Sequence, residues 1–229
     1  MKYIPLNVKT EYDLMNSLIK IDELILYAKK FNINSIGITD ENMFGTMEFI
    51  NKCKDSQIKP IIGIEVFIDD IKFLLYAKNY NGYISLCEIV TIKNIESLNF
   101  DRIKNYKDII CVCNYKDYLK LKEYFSEIYI GYKDKNEKTE SIKLSKSILY
   151  IPCIRYFNVE DKEYFKYIRL IEEGKTVNDE VNVSDEYIKE DYDEFDIKTT
   201  IDFSKLIDIK LPKREVHIPK YKENSTEFL

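Results

Sequence analysis

Apolar and polar positions follow two periods along this chain, one of strands and one of helices. Ile4-Pro5-Leu6-Asn7-Val8 alternates and reads as a strand, whereas Ile21, Leu24, Ile25, Tyr27 and Ala28 form a helical stripe ending near Phe31. Residues 35–39 read as a short strand and 46–53 as a helix with Met47, Phe49 and Ile50 apolar. Residues 60–68 are almost continuously apolar, the mark of a strand buried on both faces. A strand at 73–77, a helix at 83–90, a strand at 109–113, a helix at 118–125 and strands at 128–132 and 149–154 follow. A helix over 159–173, with Tyr164, Phe165, Ile168 and Ile171 apolar, stops at Gly174. Repeated βα units of this length predict a parallel sheet, wound open or closed into a barrel. After Lys175 the pattern changes to short acidic segments and then Leu211-Pro212 and Ile218-Pro219, a lead-out instead of another βα unit. The expected organisation is a body over 1–178 and an acidic segment with lead-out over 179–229. The last residues, Ser225-Thr226-Glu227-Phe228-Leu229, have the form of a helix start, so a longer parent chain is expected.

Composition narrows the classes. A length of 229 residues, 45% hydrophobic and 14% aromatic, belongs to a globular α/β protein with ample core. No apolar run approaches the ~18 residues of a membrane span, and Met1-Lys2-Tyr3-Ile4-Pro5 lacks the apolar stretch of a signal peptide. Five cysteines without framework spacing predict a reduced, cytoplasmic protein. The net charge of −5 is local: residues 1–178 are near neutral, and 179–196 hold nine acids against Lys189. That stretch reads as solvated, with an acidic docking site for a basic partner as the alternative, and no basic stripe marks a nucleic-acid surface. The only histidine is His217, too few imidazoles for an ordinary zinc or metal-hydrolase site.

Five stretches in order carry a resemblance. They are Leu6-Asn7-Val8-Lys9-Thr10-Glu11-Tyr12-Asp13-Leu14-Met15-Asn16, Ile38-Thr39-Asp40-Glu41-Asn42-Met43-Phe44-Gly45, Ile58-Lys59-Pro60-Ile61-Ile62-Gly63-Ile64-Glu65-Val66, Leu75-Tyr76-Ala77-Lys78-Asn79-Tyr80-Asn81-Gly82-Tyr83 and Tyr164 through Glu173 into Gly174-Lys175-Thr176. Together they resemble the N-terminal polymerase-and-histidinol-phosphatase (PHP) domain of bacterial DNA polymerase III alpha subunits, and His217-Ile218-Pro219-Lys220-Tyr221 is similar to that family's exit toward its polymerase domain. The resemblance is weakest from 95 to 147. It implies a distorted (β/α)7, TIM-like barrel with its site at the C-terminal ends of the strands. In active members His, Asp, Glu and Cys side chains there hold up to three metal ions that activate water against a phosphoester.

This chain departs from that ligand pattern nearly everywhere. The opening His-x-His is Asn7 and Lys9, the acid soon after is Asn16, and Thr-Asp-His is Thr39-Asp40-Glu41. The histidine leading the next strand aligns with Lys72, a cysteine position with Tyr115, and the closing Asp-x-His is Cys153-Ile154-Arg155; Glu65 alone is unchanged. Lys9, Lys72 and Arg155 bring fixed positive charge to the metal positions, where an ammonium or guanidinium repels a cation and cannot ligate it. The pocket is therefore expected to be vestigial, without catalytic or metal residues and without a cofactor in this domain. Lys9 and Arg155 are expected to pair with Asp40, Glu41 or Glu65 in place of metals.

The other chemistry-bearing residues read plainly. Cys153 is a buried thiol rather than a zinc ligand, and Cys111 and Cys113 alternate toward one face of a strand as core. Asp40 and Glu65 lack an activated nucleophile to serve as acid and base. His217 reads as a surface or packing residue, and the 19 tyrosines as amphipathic core. The expected function is a structural domain of a replicative polymerase. Its expected partners are the downstream polymerase domain, where Mg would act, replisome proteins such as a proofreading exonuclease, and primer-template DNA through the parent chain, with no membrane. The alternatives are a metal-dependent phosphoesterase or 3′–5′ exonuclease using Glu65, Glu41, Asn16 and Cys153, and a stand-alone interaction module.

Overall fold

The structure is a computed structural model that describes residues 2–189 and 191–212. Among these residues six strands form one sheet in sequence order: β1 (Ser35–Ile38), β2 (Lys59–Ile68), β3 (Ile71–Ala77), β4 (Ile109–Cys113), β5 (Ile128–Tyr132) and β6 (Ile148–Tyr150). Among the described residues eight helices accompany them: α1 (Ile21–Phe31), α2 (Thr46–Asp55), α3 (Tyr80–Ile95), α4 (Phe100–Ile103), α5 (Tyr118–Leu121), α6 (Lys135–Leu144), α7 (Asp161–Glu172) and α8 (Glu194–Lys205). No helix among the described residues is long and apolar enough to cross a membrane.

The sheet is not uniformly parallel. β3 pairs antiparallel with both β2 and β4, while the other neighbours pair in parallel. The reason is in the link: a parallel crossover needs a dozen residues or so, and β2 and β3 are joined by Asp69 and Asp70 alone. Both aspartates take positive φ, 48° and 61°, the backbone of a tight hairpin turn whose hand matches the strand twist.

The sheet curls. Val8 bridges in parallel to Ile38 at one end of the strand order and to Ile154 beyond the other. Gly37 N–H donates to Pro5 C=O at 2.7 Å, and Ile154 N–H to Asn7 C=O at 2.9 Å. The expected 4–8 strand is thus present only as bridges, so the described ladders make a curled six-stranded sheet in place of seven. Residues 149–154 likewise end their ladder at Tyr150, and the expected 118–125 helix stops at Leu121.

Each face of the sheet feeds its own core. The helical stripe Leu24, Ile25 and Ala28 of α1, with Phe49 and Ile50 of α2 and Leu86 of α3, packs on Ile36, Ile62, Leu75, Cys111 and Cys113. On the other face Leu6, Ile61, Leu74, Tyr76, Ile110, Val112 and Leu149 enclose Phe203 and Ile207 from α8 and its end. α8 falls in the region read as acidic segment and lead-out, and there it places Phe203 against the inner face of the sheet. α7 ends as expected, with Gly174 at φ 64° and Lys175 N–H donating to Leu170 C=O at 2.8 Å. The expected helix start at 225–229 and His217 lie outside the described residues.

Candidate functional site

The C-terminal ends of β1 and β2, the loop after Val8 and the segment after β6 converge on one buried cluster. Lys9 is its centre and is fully buried. Its Nζ donates to Thr39 C=O at 2.5 Å and lies 3.2 Å from Asp13 Oδ2 and 3.3 Å from Glu65 Oε1. Glu65 reaches a second cation through its other oxygen, 2.7 Å from Lys72 Nζ, which stands half-exposed at the rim. Local backbone fixes this geometry: Lys9 N–H donates to Ile154 C=O and Thr39 N–H to Val8 C=O, at 2.9 and 3.0 Å.

Asp40 and Asn7 flank the cluster. Asp40 is 2% exposed and accepts from Thr10 N–H at 2.7 Å and Thr10 Oγ1–H at 2.6 Å. Burial raises its carboxyl to about 6, against the opposing pull of the two Thr10 bonds. Asn7 Oδ1 accepts from Thr39 Oγ1–H at 2.6 Å. Cys153 has its thiol raised by burial, which keeps it protonated, while Arg155 pulls the other way.

Three residues of the expected pocket take partners outside the expected set. Arg155 Nε pairs with Glu186 at 2.7 Å and its Nη1 donates to Asn16 C=O at 2.7 Å. Glu41 lies 3.7 Å from Lys93 Nζ on α3. Asn16 Nδ2 donates to Asp13 Oδ1 at 3.3 Å, and the other oxygen of that carboxylate pairs with Lys9. The expectation that Lys9 and Arg155 pair with Asp40, Glu41 or Glu65 therefore holds for Lys9, which pairs with Glu65, and is corrected for Arg155, which pairs with Glu186. Lys9 takes Glu65, Arg155 takes a carboxylate from the acidic stretch, and Asp40 is satisfied by Thr10. That stretch is not wholly solvated either, since Asp196 is buried and pairs with Lys138 at 2.7 Å and Tyr132 Oη at 2.6 Å.

The residue that sequence reading missed is Asp13. It lies four residues after Lys9 in a tight loop closed by Asp13 N–H to Thr10 C=O at 2.9 Å, so that spacing was its only signal. Fit to a divalent cation is poor: the three oxygens that converge here surround an ammonium. Among the described residues no group of three His, Cys, Asp or Glu side chains is arranged to hold a metal.

The profile of the PHP domain matches residues 5–145. The chain belongs to the PHP domain family. Among relatives, the DNA polymerase III subunit alpha of Ureaplasma parvum is 39% identical over 116 residues, 48% of this chain and 12% of that protein. The DNA polymerase III subunit alpha of Staphylococcus epidermidis is 27% identical over 183 residues, 74% of this chain and 17% of that protein. This PHP chain thus spans less than a fifth of the length of either relative. A solved structure provisionally assigned as a metal-dependent phosphoesterase, from Bifidobacterium adolescentis, aligns at a TM-score of 0.30 and 11% identity over 64% of this chain and 44% of that one, too distant to argue from.

Proposed function

We propose that this chain is a catalytically degenerate PHP domain with a structural role in a DNA polymerase III alpha chain. The observation that carries the reading is the position of Lys9 Nζ, within 3.3 Å of Glu65 and 3.2 Å of Asp13. A bound cation at these oxygens would have to displace a fully buried ammonium, which repels it and cannot ligate it. The ion pairs hold the pocket together in place of metals, and the curled sheet becomes a distorted (β/α)7 barrel in which residues 5–9 stand as the seventh strand. Such a domain packs on the polymerase core of its own chain and offers a surface to replisome proteins such as a proofreading exonuclease. DNA synthesis and its Mg chemistry, on primer-template DNA in the cytoplasm, belong to the parent chain. The phosphoesterase reading needs Glu41 and Asn16 to join Glu65 as ligands, whereas Glu41 pairs with Lys93 and Asn16 with Asp13.

The test is metal analysis of the purified chain after dialysis against Mn²⁺ or Zn²⁺, with a phosphodiesterase assay in the same buffers. The expected result is neither stoichiometric metal nor turnover. Turnover abolished by Glu65→Gln would overturn the proposal.

A further inference from the structure

A second concave surface lies on α1, apart from the Lys9 cluster and sharing no residue with it. Two adjoining cavities of about 440 and 710 Å³ share Tyr27, Lys30, Phe157 and Asn158, so they form one groove. Its wall is aromatic: Tyr27 lies 5.6 Å from Phe157 at an interplanar angle of 28°, and 4.5 Å from Phe31. The two ends differ in charge. At the larger end Lys2 and Lys189 face one carboxylate, Asp191; Lys30 stands where the two cavities join, and at the smaller end stand Glu23 and Asp161. Lys2 and Lys30 place their ammonium groups 6.0 and 5.3 Å from the Phe31 ring, which gathers positive charge beside the aromatic wall.

We propose that this groove binds a single nucleoside phosphate. The larger cavity has the size of an ordinary small-ligand site, which is apolar and aromatic with few polar groups that fix orientation. The base lies along the Tyr27–Phe157 wall, where the Glu23 carboxylate accepts from its amino groups. The phosphates meet Lys2, Lys30 and Lys189, whose charge-assisted bonds suit an anion. The acidic end sets the length, because Glu23 and Asp161 repel any phosphate running on past the base. A mononucleotide fits that polarity, and a polyanionic strand does not.

Isothermal titration calorimetry of the purified 229-residue chain with dATP in EDTA tests this. Saturable binding at one site is expected, with adenosine and inorganic triphosphate each weaker by about 10-fold or more. Lys30 is exposed, so Lys30→Glu should keep the unfolding temperature, weaken dATP by about 10-fold and leave adenosine unchanged. Lys189→Glu, at the larger end, should act in the same direction. Absence of saturable heat, or equal affinity of Lys30→Glu for dATP, would overturn the proposal. Triphosphate bound as tightly as dATP would reduce the groove to a cationic rim, and an oligo-dT bound more tightly than dATP would make it a strand surface; either result also overturns it.

Discussion

Lys9 and Glu65 form a completely buried ion pair, Nζ to Oε1 at 3.3 Å with the two side chains 0% and 3% exposed. Burying two charges is costly, and such a pair persists only where further bonds satisfy both partners. Here Thr39 C=O and Asp13 complete the ammonium, and Lys72 completes the carboxylate. Removing Lys9 leaves Asp13 with no cation within salt-bridge range among the described residues. Lys9→Met is therefore expected to cost about 3–5 kcal/mol of stability, read as the midpoint of urea unfolding. The triple variant Lys9→Met, Asp13→Asn, Glu65→Gln should recover most of that loss. If Lys9→Met costs less than about 1 kcal/mol, the carboxylates reach water and the pair holds nothing together.

Asp40 gives the cluster a pH dependence of definite sign. Its carboxyl is raised from 3.8 to about 6 by burial, so the folded state binds its proton more tightly than the unfolded chain does. Between those two values the folded state carries more protons, and stability falls as pH rises, by up to about 3 kcal/mol in all. Asp40→Asn removes the titration while leaving Thr10 with partners. Urea midpoints measured from pH 3.5 to 7 should fall less steeply for the variant than for the parent across that window, and parallel curves would disprove the assignment.

The elements that sequence pattern made legible are those whose apolar residues face one cluster. α1 has its stripe at Ile21, Leu24, Ile25 and Ala28, and β2 is apolar almost throughout because both its faces are covered. α6 was not legible, since Ser141 is its only buried residue and no apolar stripe exists to read. α8 was hidden by the acids around it, although Phe203 is buried. The β2–β3 hairpin is legible in the spacing alone: a strand ending at 68 and another beginning at 73 leave no room for a crossover. In the site, family position located Lys9, Glu65 and Lys72, but the partner of Arg155 could not be found that way. Glu186 comes from a segment that the matching motifs do not cover.

Gly37 holds the N-terminal segment against β1. A Cβ there would stand 2.5 Å from Leu6 O and 2.9 Å from Leu6 Cα, backbone atoms that cannot turn aside. Gly37→Ala should cost about 1–3 kcal/mol as the segment is pushed off. Amide exchange at Thr39, which donates to Val8 C=O, should accelerate with it. Gly174→Ala is the contrast: nothing lies within 4 Å, so only the left-handed φ of 64° costs, about 1 kcal/mol, and Thr39 exchange should not change.

Phe203 decides whether α8 is part of the domain or a strap leading out of it. Its ring is 1% exposed and meets Tyr76 and Tyr129 edge-on at 5.2 and 5.3 Å, on the face of the sheet that α1, α2 and α3 do not cover. Tyr76 in turn donates to Leu6 C=O at 3.0 Å, so the ring that Phe203 touches also anchors the N-terminal segment beside Lys9. Phe203→Ala would open a cavity between rigid strands that have little freedom to collapse, and should cost about 3–5 kcal/mol. Leu206→Ala, on the same helical end but 41% exposed, should stay within about 1 kcal/mol. If the two substitutions cost the same, α8 does not seal the inner core. If Phe203→Ala also speeds amide exchange at Lys9 and Thr39, the helix supports the ion-pair cluster through Tyr76, and the C-terminal segment is what keeps the charged pocket closed.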